Sequence, residues 1–245
     1  MLSPTSTGTT PAGTENEQQA ATWVRGMFGR IAPRYDLLNH LLSMNIDKYW
    51  RARTVKLVSD VLAKPGARVL DVACGTGDLL IALAKREAGA LVLGSDFSHP
   101  MLTAARSKTS RGLMEADALA LPLADASFDL ATIAFGFRNL TNYPRGLAEL
   151  RRILKPGGVL AILEFSTPPN ALLATLYGFY SRNVLPKIGG WISGSPDAYT
   201  YLPESVRKFP DAPGLAQQMR EAGFQNVRYK RMTAGIVAVH LGERL

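Results

Sequence analysis

Cysteine occurs once in the 245 residues, at Cys74, so no disulfide can form within the chain, and such usage fits a reducing compartment. No apolar run approaches the ~18 residues that a bilayer-crossing helix needs; the longest are of strand length. The first twenty residues are rich in Ser, Thr, Gly and Pro and hold no Lys, Arg or apolar stretch. They read neither as a secretory signal nor as a transit peptide, and a disordered tail is expected over residues 1–22. No His, Asp and Glu residues fall at metal-ligand spacing, so no metal is expected. Dense basic blocks are missing too. The net charge of +8 comes from Lys and Arg scattered along the chain, without aromatics interleaved as stacking platforms. Scattered charge of that kind favours adhesion to an anionic surface over the reading of nucleic acid, and no nucleic-acid partner is expected.

What is present is a rhythm of strands and helices in a length that suits one well-buried domain. In "ARVLDVACGTGDLLIALAKR", Val69 and Leu70 belong to a continuous apolar run, as expected of a buried parallel strand. The run ends at Asp71, turns through Gly75-Thr76-Gly77 and continues as an amphipathic helix. Glycines let the backbone approach a ligand, and a helix N-terminus offers free N–H groups. A dinucleotide-binding loop would want a third glycine where Leu80 stands, which argues against a pyrophosphate. The pattern hydrophobic-Asp-x-x-x-Gly-x-Gly resembles the first motif of class I S-adenosylmethionine-dependent methyltransferases.

The next strand, "ALVLGSDFS", ends at Asp96, 25 residues after Asp71. A carboxylate there commonly accepts hydrogen bonds from ribose hydroxyls, although it could also cap the following helix, a task open to Ser98. The acidic loop Asp117-Ala118 follows a third strand, where the methyltransferase resemblance implies contact with the adenine. "ELRRILKPGGVLAILEFS" is a helix, a turn and a fifth strand, and the chain finishes on a hairpin, "QNVRYKRMT" with "AGIVAVHLG". Alternating β and α units closed by a hairpin predict an α/β three-layer sandwich around a mostly parallel seven-stranded sheet, Rossmann-like in its cofactor half.

More specific motifs surround this core. Tyr35, Asp36, Asn39, Ser43 and Trp50 form one pattern. Arg152, Lys155-Pro156-Gly157-Gly158, Glu164 and Ser166 form another, and "FGFRNL", "AYTYLPESVRKFP" and "TAGIVAVHLG" accompany them. Together these resemble the quinone C-methyltransferases of menaquinone and ubiquinone biosynthesis (UbiE/MenG type), from about Trp23 to the end. The sequence departs from the family's pattern where Leu38 replaces Met, Asp47 replaces His, Cys74 replaces Gly and Ala134 replaces Ser. Cys74 reads as a small residue beside the ligand, not as a nucleophile. Asp47 falls where a helix N-cap is expected, with Trp50 three residues later.

The resemblance implies S-adenosylmethionine as methyl donor and a reduced polyprenyl quinone as acceptor, most of all demethylmenaquinol, with a methoxy-benzoquinol as the alternative. It also implies a methyltransferase domain over residues 23–245, in which residues 23–64 cover the site and 166–209 form a lid. The lid region, with its neighbour Phe165, holds eight of the chain's twenty aromatics, including Tyr177, Phe179, Tyr180 and Trp191, suited to a prenyl channel. A cytoplasmic protein touching the inner face of an anionic membrane follows, with homo-oligomerisation left open.

Methylating a ring carbon requires a carbon nucleophile, obtained by deprotonating a neighbouring hydroxyl. A phenol-like pKa of ~10 leaves about one part in a thousand ionised at pH 7, a handicap of about 4 kcal/mol. Arg138-Asn139 follows the fourth strand, where ligands of open α/β sheets sit, and is expected to stabilise the oxyanion and orient a ring oxygen. Tyr35 and Asp36 are expected to bond the ring or take its proton. An RNA methyltransferase is the remoter reading. Base methylation through a covalent adduct would need a nucleophilic cysteine, and the only one lies in the cofactor loop.

Overall fold

The central strands of this chain carry buried apolar residues on both faces, so helices must cover the sheet twice. The computed structural model describes residues 7–87, 89–179 and 196–245. Four helices come first: α1 (Glu17–Ile31), α2 (Tyr35–Leu42), α3 (Ile46–Leu57) and α4 (Ser59–Leu62). The core then alternates through β1 (Arg68–Val72), α5 (Asp78–Arg86), β2 (Leu91–Asp96), α6 (His99–Arg106), β3 (Leu113–Glu115), β4 (Phe128–Ala134), α7 (Tyr143–Ile153) and β5 (Leu154–Phe165). After α8 (Ala171–Phe179), α9 (Pro196–Lys208) and α10 (Ala212–Glu221), the chain closes with β6 (Gln225–Met232) and β7 (Val237–Glu243). The sheet order is β3-β2-β1-β4-β5-β7-β6. Its first five strands are parallel, and β7 runs antiparallel to both β5 and β6. The expected sheet is therefore the observed one.

Alternation along the strands splits the core in two. Leu70, Val72, Leu160 and Ile162 pack with α7 and α10. Val69 and Ala161 face the other way, against Val55, Val58, Leu62 and Leu83 of α3, α4 and α5. A third cluster joins α1 to Leu38, Met101 and Tyr201, so the cover is packed onto α6 and α9.

Within the described residues 7–22 the expected disordered tail needs correction. The Asn16 side chain caps α1 by accepting the Gln19 N–H at 2.9 Å, and Ala20, Val24, Met27 and Ile31 recur at helical spacing on its buried face. Upstream, the Thr9 N–H donates to the Leu140 carbonyl at 2.8 Å, and the Tyr143 N–H donates to the Thr7 carbonyl at 2.7 Å. Composition pointed to disorder because residues 7–16 are small and polar. What anchors them is backbone pairing, and it runs through Gly8, where an added Cβ would stand 1.8 Å from the Thr141 carbonyl oxygen. Of the aromatics assigned to a prenyl channel, Tyr180 and Trp191 lie outside the described residues, as do the side chains of Tyr177 and Phe179.

Candidate active site

Strands β1 and β4 are neighbours, yet their connections leave toward opposite edges of the sheet. Such a switch point opens a crevice beyond the strand ends. Here the backbone takes unusual shapes. Ala73 (φ 49°) follows β1 and Phe135 (φ 56°) follows β4, both in the left-handed region that disfavours side chains. Both residues line a cleft with about 730 Å³ of space, part of it open to solvent.

Of the residues expected to hold a cofactor, Gly75, Asp96, Asp117 and Ala118 line the cleft. Asp96 Oδ2 accepts the Gly75 N–H and Oδ1 accepts the Ser98 N–H, both at 2.9 Å. Asp96 thus braces the glycine loop and the start of α6 at once, while each oxygen keeps a lone pair for a further donor. Burial, held back in part by the Ser98 and Gly75 N–H groups, pushes its carboxyl up to about 6. Asp117 Oδ1 closes a local turn by accepting the Leu119 N–H at 2.9 Å.

Asp71, Thr76 and Gly77 are not among the lining residues. Asp71 is turned under the sheet, where Thr132 Oγ1 donates to it at 2.6 Å, and burial pushes it up to about 7. Thr76 faces away, donating to Asp36. Gly77 starts α5 at φ 87°. Cys74 packs against β2, its Sγ 2.9 Å from where a Cβ on Gly94 would lie, and burial raises its thiol well above the usual range. A thiol held neutral is an inert one.

The residues expected to act on the ring separate. Tyr35 and Asn139 line the cleft. Burial raises the Tyr35 phenol, keeping it a donor at neutral pH. Arg138, next to Asn139 in the chain, is buried and is not itself among the lining residues. Its Nη1 donates to Glu164 Oε1 at 2.9 Å and to the Phe135 carbonyl, its own N–H reaches Glu164 Oε2 at 3.2 Å, and its guanidinium lies over the Phe165 ring. Burial alone would lower the guanidinium, but Glu164, with smaller help from Tyr201 and Tyr35, holds it above its ordinary value. The buried Nε–H of Arg138 has no acceptor among the described residues.

Asp36 requires correction as a proton acceptor. One of its oxygens takes the Thr76 hydroxyl, the other takes Lys108 Nζ at 2.7 Å, and it does not line the cleft. It is a tether between α2 and the glycine loop. Asp47 is also corrected. The N-cap of α3 is Asn45, in left-handed conformation (φ 60°), and Asp47 lies inside the first turn. Its buried carboxylate gathers Ser43 Oγ at 2.7 Å, His40 Nδ1 at 2.9 Å and the Arg51 guanidinium. Arg51 continues to Asp78 at 3.6 Å, and Lys108 bridges Asp78 and Asp36, each at 2.7 Å. His40, Asp47 and Asp78 bring ligand atoms within 4.8 Å of one another, a grouping that sequence spacing did not indicate. Arg51 already supplies the cation between the two carboxylates.

A cleft at the β1/β4 switch point, with a glycine loop on one side and an acid-ended β2 on the other, defines the class I S-adenosylmethionine-dependent methyltransferase fold. A SAM-dependent methyltransferase of Thermotoga maritima shares that fold with a TM-score of 0.66 at 20% identity, covering 91% of this chain and all of the other. The CurJ carbon methyltransferase matches with a TM-score of 0.63 at 14% identity, over 93% of this chain and 70% of that one. The chain belongs to the ubiE/COQ5 methyltransferase family, whose model matches residues 14–244. A demethylmenaquinone methyltransferase of Thermus thermophilus is 52% identical over 89% of this chain and its own full length. A ubiquinone/menaquinone biosynthesis C-methyltransferase of Paracoccus denitrificans is 42% identical over 94% of this chain and 93% of its own length.

Sequence reasoning quoted Glu164 only as part of a motif and passed over Tyr201 and Lys108. Glu164 was readable in principle, because a fully buried acid at a strand end demands a cation. Removing it by Glu164→Ala leaves Arg138 buried and unpaired and should destabilise the fold by about 3–5 kcal/mol. Urea unfolding measures this, and an unchanged midpoint would contradict the pairing.

Proposed function

We propose that the protein transfers the methyl group of S-adenosylmethionine to a ring carbon of a reduced polyprenyl quinone, demethylmenaquinol first among them. The observation that carries this reading is a buried, charged guanidinium directly behind the cleft wall formed by Phe135, Gly136 and Asn139, with the protonated phenol of Tyr35 in that wall. The residues fit the donor. Gly75 allows close approach of the backbone, Asp96 offers lone pairs for ribose hydroxyls, and Asp117-Ala118 with Phe97 and Met101 would flank the adenine. When bound, the donor supplies a methyl carbon already activated for displacement from sulfur.

The chain's own groups then act on the hydroquinone. A ring hydroxyl that loses its proton passes electron density to the neighbouring carbon, which forms the new C–C bond and afterwards sheds its hydrogen as a proton. Arg138 would favour the oxyanion, with its Nε–H as a donor lacking an acceptor among the described residues, and Tyr35 would add a neutral donor. The side chain of Asn139 would orient a ring oxygen. Asp36, occupied on both oxygens, is left out of the chemistry.

Anaerobic incubation with demethylmenaquinol and methyl-labelled donor should place label in the quinol and none in the oxidised quinone. A methoxy-benzoquinol offered in competition tests the second acceptor, which the name of the Paracoccus relative supports. Label in neither would contradict the proposal. Donor binding should also depend on pH. The ribose hydroxyls require ionised Asp96, so affinity should rise with pH through about 6 and level above it. Calorimetry should find binding to Asp96→Asn weaker and without that slope; an equal slope in the variant would remove Asp96 from the ribose.

A prenylated acceptor lies in lipid, and α2 offers a face for it. Leu37 (60% exposed), Leu41 (49%) and Met44 (75%) follow one another at helical spacing, while Leu38 of the same helix is buried. Residues 17–64 hold eight Lys and Arg against four acids. No described helix is long and apolar enough to cross a membrane, and we infer that this face rests on an anionic lipid surface. Vesicles of phosphatidylglycerol should sediment the protein at low salt and release it at high salt, and Leu41→Ser with Met44→Ser should weaken capture. Undiminished capture by the double variant would contradict this surface, and a fall in oligomeric mass would assign the face to a second copy instead.

A further inference from the structure

Three distant parts of the chain meet on one phenol. Tyr201 comes from α9 and is buried, and its ring leans on Trp23 of α1 with centroids 5.1 Å apart. Its hydroxyl donates to Asn139 Oδ1 at 3.0 Å and lies 2.8 Å from Thr9 Oγ1. A phenol has a single hydrogen, so with that hydrogen on Asn139 the Thr9 hydroxyl must be the donor to Tyr201. Asn139 in turn donates one Nδ2 hydrogen to the Phe135 carbonyl at 3.3 Å, the same carbonyl that takes Arg138 Nη1. The chain of bonds thus runs in one direction, from the N-terminal segment through α9 to a residue that lines the cleft.

We propose that Thr9 and Tyr201 are positioning residues for methyl transfer, which fix the amide of Asn139 so that its second Nδ2 hydrogen faces the acceptor ring. Resting on the quinol reading above, this gives residues 7–10 a part in the active site. Turned over, the amide would offer the ring a carbonyl oxygen and would set an NH2 group against the Phe135 carbonyl's counterpart, the Tyr201 phenol. That arrangement can be satisfied only if the phenol gives up its role as donor. Burial pushes the Tyr201 phenol up to about 12, so it keeps its hydrogen throughout the working range. With the phenol hydrogen on Asn139, the Thr9 hydroxyl donates to the phenol oxygen from the far side and completes the chain.

The segment is held independently of that side chain. Thr9 N–H binds the Leu140 carbonyl, the Thr7 carbonyl takes the Tyr143 N–H, and Lys208 Nζ of α9 reaches the Thr10 carbonyl at 3.1 Å. Gly8 permits the approach, since a Cβ there would meet Thr141 O at 1.8 Å and Asn142 N at 2.8 Å. Backbone anchoring means that the Thr9 side chain can be changed without releasing the segment, whereas a side chain at position 8 would release it.

Single-turnover rates with demethylmenaquinol and S-adenosylmethionine test the idea on the full chain. Thr9→Val and Tyr201→Phe should each slow methyl transfer by about tenfold, the worth of one ordered hydrogen bond, with donor affinity unchanged and the melting temperature lowered by no more than about 2–4 °C. Because they break one chain of bonds, the double variant should be no slower than the worse single one. Thr9→Ser should restore the rate, and Gly8→Val should match Thr9→Val. Wild-type rates in Thr9→Val and Tyr201→Phe would overturn the proposal while leaving the quinol reading intact. Additive losses, or failure of Thr9→Ser to recover, would also overturn it by marking the two contacts as separate packing effects. A wild-type protein without quinol methylation would remove the reading on which it rests, and the proposal with it.

Discussion

A guanidinium buried at the end of β4 cannot stand alone, and much of the site follows from that. Stripping an ion of water costs several kcal/mol, an expense met only by a close counter-charge and further hydrogen bonds. Glu164, fully buried near the end of β5, supplies the charge, and the Phe135 carbonyl supplies a second acceptor. To turn that carbonyl inward, Phe135 takes a left-handed conformation, and the turn delivers Asn139 to the cleft. The parallel pairing of β4 with β5, Ala134 against Leu163, keeps acid and base at the same level of the sheet. A replacement with well-packed apolar residues could be as stable, so under the proposed function the pair's value would be to hold a positive charge near the forming oxyanion.

Around this centre the helical cover is fixed by charge as much as by packing. Asp47, Arg51, Asp78, Lys108 and Asp36 alternate in sign from α3 to the glycine loop. Several members are partly exposed, so individual links are worth little and the network's use is registration. It sets α2 so that Tyr35 faces the cleft while Leu37 and Leu41 face outward. Leu38, on the buried side, packs with Met27 and Ile31 of α1 and ties the cover to α6.

What could be read from the sequence was whatever the chemistry places close together along the chain. Val69 and Leu70 running into Gly75-Thr76-Gly77, Asp96 at a strand end, and Arg138-Asn139 after β4 are local signals, and the mostly parallel sheet with its closing hairpin followed from the alternation of elements. Contacts across long separations were not legible. Asp36 was taken for a base because nothing near it in sequence shows that Thr76 and Lys108 would occupy its two oxygens. Asp47 looked like a cap because the left-handed turn at Met44 and Asn45 places the true start of α3 before it. Thr9 and Tyr201 are 192 residues apart, and the small polar residues near Thr9 carried a compositional signal for disorder that backbone pairing overrode.

The central claim is that the buried Arg138 charge eases ionisation of the acceptor's ring hydroxyl. A 1-naphthol analogue of the acceptor lacks the second hydroxyl and so does not pass to a quinone by simple loss of two hydrogens; its ionisation can be followed anaerobically by ultraviolet absorbance in the complex with S-adenosylhomocysteine. The account predicts that the bound hydroxyl titrates ~1–3 units below its value in water, and that Arg138→Gln abolishes the shift. A bound hydroxyl that titrates at or above its value in water would contradict it.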